Sequence, residues 1–318
     1  MPQPDIICLG EALIDIVPLQ PGGSIVASGE MRMAAGGAPA NVAVGLAKLG
    51  TRVGYLGKVG DDFFGYHLRD ILTQNNVDTS HTLFDPVHHT GLAFVNWDAH
   101  GDAHYLFYRN PSADTMLSPE DIDPDYVSQA QLLQFGSLML ATEPSAAASY
   151  YAIKLARDAG RLLSYDLNLR LTGWPDEAAA RAGVSAPLEY ANIVKLNRHE
   201  LAFLVGDSDP DTGTAKLWRE HFKLVVITLD KAGCFFRTAN ATGFVASRPV
   251  QAVDTVGAGD GFMAGILDGL RRGNFAFQDQ AVVEMACRQA VAVGALTVTK
   301  PGGIPAMPTR QEVDAFGL

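Results

Sequence analysis

The 318-residue sequence predicts an α/β protein: a three-layer α/β/α arrangement around a mostly parallel central sheet, with a small antiparallel β-lid. Three observations lead there. Continuous apolar runs recur along the chain, and segments with helical spacing follow them, the pattern of parallel strands covered on both faces. Two segments, 18–37 and 91–111, instead read as strand and turn without a crossover helix, so they do not fit a parallel sheet. With 47% hydrophobic residues, among them three tryptophans and fifteen phenylalanines, the chain can bury a large core.

The elements follow in order. IICLGEALIDIV (residues 6–17) reads as a buried strand. NVAVGLAKLG (41–50) has helical spacing and stops at Gly50, a C-cap glycine. RVGYLGKVG (52–60) is a short strand, and DDFFGYHLRDILTQNNV (61–77) an amphipathic helix with Phe64, Leu68, Ile71 and Leu72 on one face. Strand and helix then alternate through QLLQFGSLML, PSAAASYYAIKLARDAG, RLLSYDLN, DEAAARAGVSAPLEYA, NIVKLN, RHELAFLVG and KLVVITL, between residues 131 and 229. The two exceptions, about 18–35 and 88–110, are assigned to one small sheet over the carboxyl ends of the parallel strands, where α/β proteins bind ligands. No linker or internal repeat divides the chain, so 1–318 reads as a single domain.

The formal net charge is -11 and no run of lysine or arginine occurs, which argues against nucleic-acid or anionic-membrane partners. No apolar run is long enough to span a bilayer, and no leader-type N-terminus is seen. Cys8, Cys234 and Cys287 are odd in number and lack metal spacing, as in a reducing compartment. The expectation is a cytoplasmic protein. A negatively charged ligand would have to be held by helix ends and a few placed basic residues.

AVDTVGAGDGFMAGIL (252–267) marks such a helix end. Free amides and a partial positive charge make a helix N-terminus an anion site, and Gly257 and Gly259 allow close approach. Asp260 is read either as a capping acid or as a base taking a proton from a nucleophile beside a phosphate. AAGGAPANVAVGLAKLG (34–50) is a second glycine-rich helix start, read as a plain turn or as a ligand site in which Asn41 offers donor and acceptor to hydroxyls. It matches neither GxGxxG nor GxxxxGK[ST]. Asp15, between Ile14 and Ile16, needs donors, from backbone amides or from sugar hydroxyls.

The order and separation of these two glycine-rich segments resemble the signatures of the PfkB (ribokinase-like) carbohydrate kinases. GGAPANVAVGLAKLG, GKVGDDFFG, QNNVD, FYRNPSADTML, LSYDLNLR and VDTVGAGDGF are most similar to the fructokinases of that family, and together they cover nearly the whole chain. The resemblance implies a ribokinase-like fold, ATP and Mg²⁺ as cofactors and a small-molecule sugar as acceptor; a small isolated sheet with apolar faces and free edges in turn leads us to expect a homodimer joined through the lids. It makes Asp260 the catalytic base, and the amides of Gly257, Ala258 and Gly259 an anion hole for the γ-phosphoryl group, with Arg170 facing the transferring oxygens.

Other roles come with the same resemblance. Asp15, Gly36, Gly37, Asn41 and a lid arginine, Arg109, would bind the sugar. Asn168, Lys195, Thr228 and Gly233 would serve the nucleotide with Gly257 and Gly259. Asn197 and Glu200, in NRHE, would hold Mg²⁺ mostly through water. Asp254, Val256, Thr297, Lys300 and Gly302 would form a K⁺ site. The chain departs from the family at Asp230, where a TxGxxG loop has its first glycine, and at Val291, where many relatives have asparagine near the nucleotide. Another sugar or a nucleoside as acceptor, a non-catalytic sensor on the same fold, and a nicotinamide dehydrogenase are the competing readings. Absence of GxGxxG disfavours the last.

Overall fold

The computed structural model describes residues 3–19, 30–97 and 103–317. Residues 20–29 and the predicted Asp-Ala-His-Gly-Asp turn at 98–102 lie outside the described residues. Among the described residues the strands form two sheets, of nine and four strands.

The large sheet contains β1 (Ile6–Leu9), β4 (Val53–Gly60), β5 (Asp78–Asp85), β8 (Leu132–Gly136), β9 (Leu162–Asp166), β10 (Ile193–Asn197), β11 (Leu224–Thr228), β12 (Gly233–Arg237) and β13 (Thr242–Ala246). Their order is β13-β12-β11-β10-β9-β8-β1-β4-β5. From β5 across to β11 all pairings are parallel, and the β12–β13 hairpin closes one edge antiparallel. Residues alternate between two buried cores. Ile6 and Cys8 face one, while Ile7 and Leu9 face the other. Helices therefore cover both sides, as the unbroken apolar strands require.

Against the first core lie α1 (Ala38–Lys48), α2 (Phe63–Gln74), α8 (Ala258–Arg272) and α9 (Gln280–Thr297). Against the second lie α4 (Ser145–Asp158) and parts of α3 (Pro124–Gln129), α5 (Glu177–Ser185), α6 (Arg198–Val205) and α7 (Pro210–Leu217). A short α10 (Arg310–Phe316) ends the described chain. Local chemistry sets the helix starts. Asp62 accepts from the amides of Phe64 and Gly65 to open α2, and Asp279 caps α9.

The small sheet has the order β3-β2-β6-β7, from β2 (Leu13–Pro18), β3 (Met31–Gly36), β6 (Leu92–Trp97) and β7 (Ala103–Tyr108). Its outer pairs are antiparallel, and its middle pair, β2–β6, runs parallel. The segment IICLGEALIDIV does not form one strand. It divides at Gly10, with φ +151°, into β1 of the large sheet and β2 of the small one. Both halves are apolar and buried, so hydrophobicity alone could not reveal the break. The chain from β1 runs to β4 on one side, and β8 pairs on the other. The carboxyl end of β1 is thus a switch point in strand order, where open α/β sheets leave a crevice.

Candidate active site

A recess of about 140 Å³ opens at that switch point. The β1–β2 connection and β2 supply Glu11, Leu13 and Asp15, and the start of α1 supplies Gly37, Ala38 and Asn41. Tyr105 and Phe107 of β7 cover it, Leu138, Asn168 and Arg170 form a wall, and Thr255 to Gly257, Gly259 and Asp260 form its floor.

Tight backbone approaches make the recess possible. A Cβ on Gly36 would fall 2.1 Å from Oδ2 of Asp15, and one on Gly37 would meet the Glu11 carbonyl at 2.4 Å. Gly257 caps α8 with φ +78°, a conformation glycine adopts without strain. The amide of Ala258 donates to the Thr255 carbonyl at 3.2 Å, so this member of the expected anion hole is committed to the turn that starts α8. Asp260, in the first turn, is buried, and its Oδ2 accepts from Nδ2 of Asn41 at 2.7 Å.

Burial pushes the Asp260 carboxyl upward, while the Asn41 hydrogen bond, Lys195 and Arg170 hold it down. Asp15 is pushed up to about 7, by burial first and then by the negative charge of Asp260, with Arg170 opposing. The Arg170 guanidinium lies 4.8 Å from the Tyr105 ring centroid and ties the small sheet to the wall after β9. Asn168 sits beside it with φ +39°, a left-handed conformation asparagine tolerates. Beneath α8, Nζ of Lys195 donates to both oxygens of Asp166 at 3.0 Å. Burial alone would lower that ammonium, but Asp166, Glu200 and Asp260 raise it on balance. A Cβ on Gly259 would come within 2.9 Å of it.

Most of the other expected residues lie outside the lining of the recess. Asn197 and Glu200 form a reciprocal capping box at the start of α6, and Oε1 of Glu200 also accepts the Leu169 amide at 2.8 Å. Thr228 pairs with Asn197 across β10–β11. Gly233 opens β12 with φ +119°, and Asp230 takes φ +49°, the backbone that a glycine would favour there. Val291 is buried in α9. The Asp254 carboxylate accepts from the amides of Val256 (3.0 Å) and Gly302 (2.8 Å), and the Lys300 amide bonds the Thr297 carbonyl at 3.4 Å.

Arg109 differs from expectation. It is buried but does not line the recess, because its Nε donates to Oδ2 of Asp114 at 2.6 Å and its guanidinium is ion-paired there. A buried guanidinium needs such a carboxylate. Sequence reasoning missed Glu11, Leu13, Ala38, Tyr105, Phe107, Leu138 and Thr255. Glu11 carried the same signal as Asp15, an acid in an apolar run, and Tyr105 and Phe107 share the period-two face of HYLFY.

The profile described as pfkB family carbohydrate kinase matches residues 3–310. A probable chloroplastic fructokinase-6 of Arabidopsis thaliana is 43% identical over 312 residues, covering 98% of this chain and 81% of the relative. A solved fructokinase of Xylella fastidiosa with bound ATP superposes with a TM-score of 0.88 at 31% identity, over 98% of this chain and 97% of that one. A double mutant of the Vibrio cholerae O395 fructokinase, in fructose, ADP and potassium ion bound form, gives 0.89 at 31% identity over 99% of each chain. Two glycine-rich helix starts that converge on one recess, in a chain matched almost end to end, make this protein a member of the pfkB family of carbohydrate kinases.

Proposed function

We propose that the protein is an ATP-dependent fructokinase that converts D-fructose and ATP into D-fructose 6-phosphate and ADP. The observation that carries this reading is Asp260: a buried carboxylate held by Asn41 at the N-terminus of α8, in a recess bounded by hydroxyl-binding groups. Oδ1 of Asn41 is buried without a partner, as an acceptor awaiting a hydroxyl would be. The names of the relatives above support fructose as the acceptor.

In the proposed reaction Asp260 takes the proton of the 6-hydroxyl as that oxygen bonds to the γ-phosphorus, and the bond to the ADP oxygen breaks. The amides of Gly257 and Gly259 and the Arg170 guanidinium face the charge that spreads over the transferring oxygens. Lys195, Asn168, Thr228 and Gly233 would serve the nucleotide. Both oxygens of Glu200 already accept backbone amides, which suits contact with Mg²⁺ through water, with Asn197 beside it. Bound there, Mg²⁺ would neutralise phosphate charge. The loop around Asp254, Val256, Thr297, Lys300 and Gly302 fits K⁺, since backbone carbonyls suit a weakly hydrated ion, and the Vibrio cholerae protein is named with potassium.

The outer face of the small sheet exposes Met31, Met33, Leu106 and Tyr108, which supports a homodimer joined through these faces. The three buried free cysteines accord with a cytoplasmic setting, and no helix among the described residues is long and apolar enough to cross a membrane.

A coupled ADP-release assay against a panel of sugars and nucleosides tests the assignment. D-Fructose should give the highest kcat/KM. Much faster turnover of ribose, 2-keto-3-deoxygluconate or adenosine would overturn fructose while leaving the kinase. No ADP release with any acceptor in the panel would favour a sensor.

A further inference from the structure

One acid of the recess has no part in the proposed transfer. Glu11 stands between β1 and β2, lines the recess and is 4% exposed. Its Oε1 accepts the Ala38 amide at 3.3 Å, at the N-terminus of α1, where the free amides and the helix dipole favour a carboxylate. Its Oε2 is buried and has no hydrogen-bond partner. Helix capping accounts for the first oxygen only. A bare acceptor in a ligand cavity points to a donor that arrives with the ligand.

The start of α1 sorts the recess into two ends. Glu11 is held at the Ala38 amide, whereas Asp260 is held by the side chain of Asn41, three residues further along the helix. The two acids thus meet α1 about one turn apart. The hydroxyl that loses its proton must sit at Asp260, so a donor reaching Glu11 belongs to the other side of the sugar. Arg109, closed on Asp114, does not reach that donor itself and instead offsets the charge of Glu11 from behind.

We infer that Glu11 is a specificity-determining residue of the sugar site, whose Oε2 accepts a hydroxyl on the side of the sugar remote from Asp260. This rests on the sugar-kinase reading above. Oε1 couples that recognition to α1, the helix that carries Asn41, so a sugar filling the far end also steadies the group that holds the base.

The test is a cycle of wild type, Glu11→Ala and Glu11→Gln against D-fructose and its 1-, 3- and 4-deoxy derivatives, with kcat, KM, the KM for ATP and melting temperature measured for each. Glu11→Ala should lower kcat/KM for D-fructose roughly 10–100-fold, chiefly through KM, and Glu11→Gln should recover part of it. For one deoxy derivative the same substitution should cost less than about threefold, since the hydroxyl concerned is already missing. Equal losses on every sugar, or a lower melting temperature with unchanged discrimination, would reduce Glu11 to a helix cap and overturn the inference. If Glu11→Ala does not fold, the same comparison on Glu11→Gln decides. Should wild type prefer another sugar, the fructose reading fails separately, and the cycle is run on that sugar's deoxy derivatives.

Discussion

The side-chain amide of Asn41 donates to Oδ2 of Asp260 across 2.7 Å, joining residues 219 positions apart. The bond brings together the two glycine-rich helix starts and occupies one of the two oxygens of the buried carboxylate.

Asp260→Asn keeps the size of the side chain and removes the proposed base. Turnover should fall roughly 10²–10⁴-fold with folding intact. Coupled ADP release and circular dichroism on the same preparation check it. Near-normal turnover in a folded variant would reject Asp260 as the base.

Asn41→Ala removes a hydrogen bond that holds the Asp260 carboxyl down against the upward push of burial. The base works deprotonated, so the acid limb of the kcat/KM profile should move to higher pH in the variant. An unmoved limb would show that Asn41 does not tune the base.

Glu11 and Asp15 are both raised to about 7, in each case first by burial. The folded, sugar-free protein therefore holds protons that the unfolded chain releases near pH 4. The stability these protons lend is complete below the unfolded values and is lost as pH rises through about 7. Melting temperature without sugar should drop as pH rises from about 5 to about 7 and level off above that. Asp15→Asn should flatten that drop while weakening transition-state binding of the sugar by roughly 1–3 kcal/mol. A wild-type melting curve independent of pH in this window contradicts the argument.

Asp268 lies fully buried on α8, outside the lining of the recess, accepting from Thr51 Oγ1 (2.7 Å) and Gln289 Nε2 (2.8 Å) and ion-paired with Arg310. Asp268→Ala removes the buried carboxylate that neutralises Arg310, leaving that guanidinium only the Leu49 carbonyl and Gln289 Oε1, and takes the acceptor from Thr51. Urea unfolding should show a loss of about 3–5 kcal/mol, with kcat/KM per folded molecule unchanged. A loss below 1 kcal/mol would mean the network relaxes around the gap.

Met33 and Leu106 are 62% and 58% exposed on the outer face of the small sheet. Charged substitutions there, Met33→Asp with Leu106→Asp, should convert a dimer to monomer in light scattering. Hydrogen exchange should also slow in β2, β3, β6 and β7 on saturating fructose, as a sheet closing over sugar requires. A wild-type monomer, or protection unchanged by fructose, would count against these roles.

Much of this molecule was legible locally. The apolar strands and helical repeats dictate a covered parallel sheet, because their periods are written within single segments. The GAGD and GGAPAN helix starts, with Asp15 and Asn41, were legible as chemistry because glycine, acid and amide stand close in sequence, whereas Asn168 and Arg170 came only with the family resemblance. The tertiary structure decided what depends on partners from elsewhere. It split residues 6–17 between two sheets at Gly10, since only the surrounding strands determine which half pairs where. It turned Arg109 onto Asp114, because a guanidinium entering a buried position takes the nearest carboxylate. It also set Glu11 in the recess with one oxygen on α1 and the other bare, a distinction between two oxygens of one side chain that only the packing around them can make.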